Sequence, residues 1–207
     1  MGDVWPIVHA ERAALIHDLE GLDDKQWEQP SLCEEWTIHD VVAHLVDTAL
    51  TTRLGFVVGL ARARFDFDRQ NTRGVERQRG ALPQETLARF RQVAARMSTP
   101  PAPHDSRLVE EVVHGEDIRQ PLGLTRSYPR EAVVRALCLQ ARTPGSFGGA
   151  KELVAPLRLT AVDADVSIGD GLEVSGPALS LLLSISGRRV ALSNLGGAGV
   201  GALAEAI

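Results

Sequence analysis

The sequence predicts an α+β chain: an antiparallel four-helix bundle over residues 1–125, then a small α/β domain over residues 126–207. Two observations carry this. Before Pro121, apolar residues recur at helical spacing in successive segments separated by proline, threonine and aspartate. After Gly123, helical spacing gives way to alternation around the turn Gly169-Asp170-Gly171. A length of 207 residues suits one large domain or two small ones.

Ile7, Val8, Leu15, Leu19 and Leu22 mark a first helix, with charges on its other face. Asp23 starts a short turn carrying Trp27, and Pro30 to Trp36 is a non-periodic loop. Thr37 caps a second helix, with Asp40 at the capping-box position. This helix is expected to run to about Arg64. Val42, Leu45, Val46, Ala49, Phe56 and Leu60 form its apolar side, and His44, Asp47, Thr48 and Thr51 lie opposite. Phe65 to Gly80 is polar and arginine-rich without periodicity, and is expected to be a connection or mobile flap. Pro83 opens a third helix bearing Leu87, Phe90, Val93, Ala94 and Met97. Thr99 to Pro103 stops it. Asp105 or Ser106 caps a fourth, which ends before Pro121 and Gly123. Short links between four such helices predict antiparallel packing.

In the tail, Pro129 opens a helix reaching Arg142, and Pro144 to Gly149 breaks the chain. Leu157 to Val162, Ala164 to Ile168 and Leu172 to Ser175 read as strands. Ala178 to Ile185 is an apolar helix, and Gly196 to Ile207 a closing one. The apolar helix needs a partner surface, so the tail is expected to pack on the bundle and close its mouth.

Composition narrows the function. Residues are 44% hydrophobic and 24% charged, an ordinary globular balance. A net charge of −5 gives no basic footprint for nucleic acid. Two cysteines, Cys33 and Cys138, make no disulfide framework and suit a reducing compartment. No run is apolar enough to span a bilayer, and Met1 to Pro6 lacks the pattern of a signal peptide. The expectation is a cytoplasmic protein that uses neither membrane nor nucleic acid as a partner.

One stretch carries chemistry. In Val109 to Ile118, Glu110 and His114 stand four residues apart, and Asp117 follows three later. On a helix they share one stripe. A carboxylate and an imidazole one turn apart can hold one metal ion, and Asp117 can orient the imidazole. Glu111 is rotated away by about 100°. A third ligand must come from elsewhere, and His44 is the best candidate. The same spacing also suits a solvated polar face, and periodicity does not choose between the two. His9, His17, His39 and His104 lack partnered spacing and read as surface histidines. Cys33 reads as a buried, inert thiol. Arg188 and Arg189 read as surface charges, with Arg188 also suited to clamp a carboxylate.

Ser31-Leu32-Cys33, then Trp36, then Asp40-Val41-Val42-Ala43-His44-Leu45 resembles the first signature of the mycothiol-dependent maleylpyruvate isomerase family. Glu110, His114 and Asp117 resemble its second. Leu157 to Asp163, Gly169 to Gly171, Gly176 to Leu179 and Gly187-Arg188 resemble its tail. The resemblance implies a DinB-like bundle holding a divalent metal, usually zinc, on the positions of His44, Glu110 and His114. It also implies mycothiol as cofactor and a small electrophile as substrate. Thiol S-transferases share this fold, so S-transfer or detoxification is the alternative activity, and a non-catalytic small-ligand-binding protein is the alternative class. Arg188 is the expected contact for an acidic substrate.

Overall fold

The computed structural model describes residues 2–33 and 35–207. Met1, at the start of the N-terminal stretch, and Glu34, inside the first signature, lie outside the described residues. The chain divides into two compact units, Met1–Ser127 and Tyr128–Ile207.

Among the described residues, the first unit is a four-helix bundle with three added helices. Helix α1 spans Trp5–Leu19 and buries Trp5, Val8, Leu15 and Leu19. The short α2, Asp24–Trp27, is closed by a capping box between Asp23 and Gln26. Helix α3, Ile38–Leu50, has Thr37 as N-cap and the full capping box with Asp40. Helices α6, Pro83–Val93, and α7, Ser106–Arg119, complete the bundle. Both α1 and α3 pack against α6 and α7, so each helix has two bundle neighbours. Leu15, Leu19, Trp27, Ile38, Val42, Leu45, Phe90 and Ile118 meet in the core.

Three expectations are corrected by this arrangement. The second helix does not continue to Arg64. It stops at Thr51, whose backbone is extended, and α4 runs over Arg53–Arg62. The cause is local. The Thr52 hydroxyl accepts from the Gly55 amide at 3.1 Å, starting a new helix instead of extending the old one. Phe56 and Leu60 therefore leave the α3 apolar side, and α4 buries no residue.

Second, Phe65 to Gly80 is not a loop, because α5 covers Phe67–Gln78. Asp66 caps it by accepting from the Arg69 amide at 2.9 Å. Only Gly74 and Val75 are buried, so few apolar residues mark the helix. It packs along α3 and is tied down by ion pairs. Arg77 reaches Asp47 at 2.8 Å, while Arg79, just past the helix, pairs with Asp40 and with Glu28. Third, α6 ends at Val93, leaving Met97 outside the helix and exposed.

The second unit begins with α8, Arg130–Gln140, followed by the short α9, Lys151–Val154. Strands β1 (Leu157–Ala161), β2 (Ser167–Ile168) and β3 (Leu172–Gly176) form a sheet of order β2-β1-β3. β1 runs antiparallel to β2 and parallel to β3. Leu157, Leu159 and Ala161 alternate inward, as the period-two pattern requires. Helix α10, Ala178–Ile185, packs on β1, β3 and α8. Helix α11, Val200–Ala206, ends the chain.

Candidate metal centre

His44 sits midway along α3, and Glu110 and His114 sit one turn apart on α7, which packs directly against α3. That packing turns two separate polar stripes toward each other. His44 Nε2 lies 3.2 Å from Glu110 Oε2, and His114 Nε2 lies 3.5 Å from the same oxygen. One ligand atom from each of the three residues fits within 4.8 Å of the other two. The two imidazole rings meet edge to face at 4.8 Å. His44 is only 4% exposed, so the polar side of α3 is not a solvated face at this point.

The neighbours define each group's orientation. The His114 Nδ1–H donates to Asp117 Oδ2 at 2.9 Å, and the Asp117 side chain is fully buried. This bond fixes the tautomer and leaves the Nε2 lone pair toward Glu110 and His44. Arg107, itself buried, donates from Nη1 to the Thr48 carbonyl at 3.0 Å and holds Nη2 3.6 Å from Glu110 Oε1. One Glu110 oxygen therefore faces a guanidinium and the other faces the histidines. Trp36 covers both imidazoles, with ring centroids 4.9 Å from His44 and 6.4 Å from His114. Asp47 pairs with Arg77 on α5. Glu111 points elsewhere, into a buried pair with Arg12 at 2.7 Å.

Charge states follow from burial. Burial pushes the His44 pKa below the ordinary 6.5, against the opposing pull of Glu110. Burial pushes Glu110 up, but the His44 hydrogen bond and the charges of His44, Arg107 and His114 outweigh it and hold this carboxyl well below its usual range. A neutral imidazole and an ionised carboxylate are the ligand forms a divalent cation needs. The donor set therefore fits a divalent ion in both geometry and protonation.

His39 is not a surface residue, contrary to expectation. It is 1% exposed, with Nε2 2.7 Å from the Thr86 hydroxyl. Its pKa is lowered by burial and by the nearby Arg79 charge. His39 and His44 set a pH dependence of stability. Just below 6.5 the unfolded chain binds protons that the folded form refuses. Stability of the metal-free protein should be full above that value and fall as pH drops beneath it. Urea midpoints at about pH 7.5 and 5.5 check this. Equal midpoints would remove the burial argument.

Cys33 is partly buried rather than enclosed, and its sulfur stands within 4.8 Å of ligand atoms of His114 and Asp117. Arg188 belongs to the second unit, just after α10, where its Nη1 donates to the Ser186 carbonyl. Among the described residues no helix is long and apolar enough to cross a membrane. Trp36 and Arg107 are parts of this cluster that the spacing of histidines and carboxylates does not announce. Their signals were a tryptophan just ahead of the Thr37 cap of the helix that carries His44, and an arginine three residues before Glu110.

A helical bundle presenting two histidines and a glutamate to one another defines a class of proteins built around an interior polar centre. Within that class the family is specific. Residues 8–137 match the model of the mycothiol maleylpyruvate isomerase N-terminal domain, and the chain belongs to that family. The fold is similar to a solved mycothiol-dependent maleylpyruvate isomerase, with a TM-score of 0.65 and 12% identity over 94% of this chain and 91% of that one. A mutant of a mycothiol-dependent maleylpyruvate isomerase, histidine to alanine, gives 0.67 at the same identity and coverage. No curated protein is significantly similar to the chain in sequence.

Proposed function

We propose that the chain is an enzyme in which His44, Glu110 and His114 hold one divalent cation, zinc, and bring a low-molecular-weight thiol, mycothiol, to a small electrophile. The observation that carries this is the convergence of the three ligand atoms within 4.8 Å, with His114 oriented by Asp117. A bound divalent cation would supply Lewis acidity and favour the thiolate over a thiol whose ordinary pKa is about 8.5. His44, Glu110 and His114 would hold such a cation with two imidazoles and one carboxylate, a donor set that would leave room for that sulfur. Arg107 neutralises the outer oxygen of Glu110, and Trp36 limits water around both imidazoles. The chemistry such a thiolate would supply for isomerisation is reversible addition to an activated C=C bond, which would leave the carbon–carbon bond single and free to rotate before the thiolate is expelled. Membership of the isomerase family favours this over S-transfer, in which the sulfur stays attached.

The test is turnover of maleylpyruvate and of a neutral alkylating electrophile with mycothiol, before and after chelation. Loss on chelation and recovery with zinc is expected. No rate enhancement with either electrophile would leave a ligand-binding protein as the better reading. Consumption of mycothiol at stoichiometric levels would move the activity to S-transfer.

Arg188 is proposed as a carboxylate clamp, on the chemistry of a guanidinium paired with an anion. Arg188→Ala should lower kcat/KM toward a dicarboxylate by about 10–100-fold, the scale of one lost charge-assisted contact, and leave a neutral electrophile nearly unaffected. Equal loss for both substrates would remove the clamp.

A further inference from the structure

We propose that Cys33, His114 and Asp117 form a second cation site, selective for thiophilic ions such as Cd²⁺, whose filling disables the His44–Glu110–His114 set. The first half stands on geometry alone. The second half rests on the function proposed above.

The cluster draws on two elements. Asp117 and His114 lie on α7, while Cys33 lies on the loop between α2 and α3. Their ligand atoms all stand within 4.8 Å of one another. The loop is docked at this spot. The Leu32 amide donates to the Asp117 carbonyl at 3.2 Å, the Cys33 amide donates to the Ser31 hydroxyl at 3.0 Å, and the Trp36 amide donates to the Cys33 carbonyl at 3.1 Å. Donors sharing one ion through bonds of roughly 2.0–2.3 Å stand about 3.3–3.8 Å apart. His114 Nδ1 and Asp117 Oδ2, at 2.9 Å, are closer than that, and the sulfur lies no further than 4.8 Å from the ligand atoms of either residue.

The donor types set the preference. The His44–Glu110–His114 set offers two nitrogens and an oxygen, whereas the Cys33 set adds a soft sulfur. Soft ions partition to thiolate. Binding releases the Cys33 thiol proton to solvent as the sulfur–metal bond forms. His114 belongs to both sets, and its ring has two nitrogens. A neutral imidazole has one N–H and one lone pair. In the folded arrangement the N–H is on Nδ1, toward Asp117. An ion shared with Asp117 is taken through Nδ1, the nitrogen 2.9 Å from the Asp117 oxygen. It needs the lone pair there, so the proton moves to Nε2. Nε2 then ceases to be a ligand for an ion beside His44 and Glu110. The two sites compete through the tautomer of a single ring.

The experiment uses the full chain, first metal-free and then zinc-loaded, with CdCl₂ as the probe. Addition of Cd²⁺ to the metal-free chain should produce an ultraviolet thiolate-to-cadmium charge-transfer band, saturating at one ion per chain. Cys33→Ser should abolish the band, while Cys138→Ser should keep it. In the zinc-loaded chain the band should grow in step with zinc released to a chromophoric chelator. Cys33→Ser should then need at least about 10-fold more Cd²⁺ to release zinc. As a check that needs no variant, Cd²⁺ should protect Cys33 of the wild-type chain from alkylation, mapped by mass spectrometry. A band that survives Cys33→Ser, or unchanged alkylation of Cys33, would overturn the site. A Cys33-dependent band with zinc fully retained would overturn the competition. A chain that takes up Cd²⁺ at Cys33 but never binds zinc would count against the proposed function and leave the second site standing.

Discussion

His114→Ala is expected to abolish tight zinc binding, with a larger loss than that from its hydrogen-bond partner. Asp117→Asn should weaken binding by roughly 10–100-fold, because the outer carboxylate sets the tautomer without touching the ion. Removing the ring removes a ligand outright and leaves Glu110 and His44 as a two-point site. His44→Ala should match it, since both Nε2 atoms lie close to the same Glu110 oxygen, at 3.2 and 3.5 Å. Glu111→Gln separates this reading from a general acidic surface, because Glu111 is turned into its pair with Arg12 and should leave zinc affinity intact. Competition against a chromophoric chelator measures all four, with circular dichroism to confirm that each variant is folded. Tight binding in both histidine variants, or a site emptied by Glu111→Gln alone, would refute the assignment.

The site was legible where the chain places its parts close in sequence. Glu110 and His114 are one helical turn apart, and that spacing alone dictates their shared face. The pairing of His44 with them needed the resemblance, because nothing in the period of α3 says which way its polar side turns. His44 lies opposite an apolar stripe and is nonetheless buried, since α7 brings polar groups of its own to meet it. The same limit hid α5. Its residues read as a loop because only Gly74 and Val75 enter the interior, while arginines on and just past it pair with α3 and with Glu28. A helix this polar is formed by its tertiary setting more than by propensity, and too few apolar residues mark its inner face to announce it. The break at Thr51-Thr52 is local, but the capping hydroxyl sits inside a run whose apolar spacing continues across it. Periodicity therefore outvoted the cap.

Arg12→Met is expected to cost about 3–5 kcal/mol of stability, the scale for breaking a buried ion pair from one side. Arg12 and Glu111 are 0% and 2% exposed, and Nε reaches Oε1 at 2.7 Å. Ninety-nine positions separate them, so no sequence pattern announces the pair. Arg12 Nη1 also donates to the Ala94 carbonyl at 3.3 Å and to the Arg96 carbonyl at 3.0 Å, just past the end of α6. One guanidinium therefore joins α1, α7 and the exit of α6. Methionine fills much of the stem's volume but leaves those carbonyls and a buried carboxylate without their donor. Burial already pushes Glu111 above its ordinary pKa, against the charge and hydrogen bond of Arg12. Without the arginine that rise should grow, so Arg12→Met should be least damaging at acidic pH, where Glu111 takes up a proton. The double variant Arg12→Met, Glu111→Leu should recover part of the loss, because it removes the stranded charge and leaves only the two carbonyls unserved. Urea denaturation of the three proteins at neutral and acidic pH decides the matter. A single variant as stable as the parent, or a double variant no better than the single, would show that the pair does not hold these three helices together.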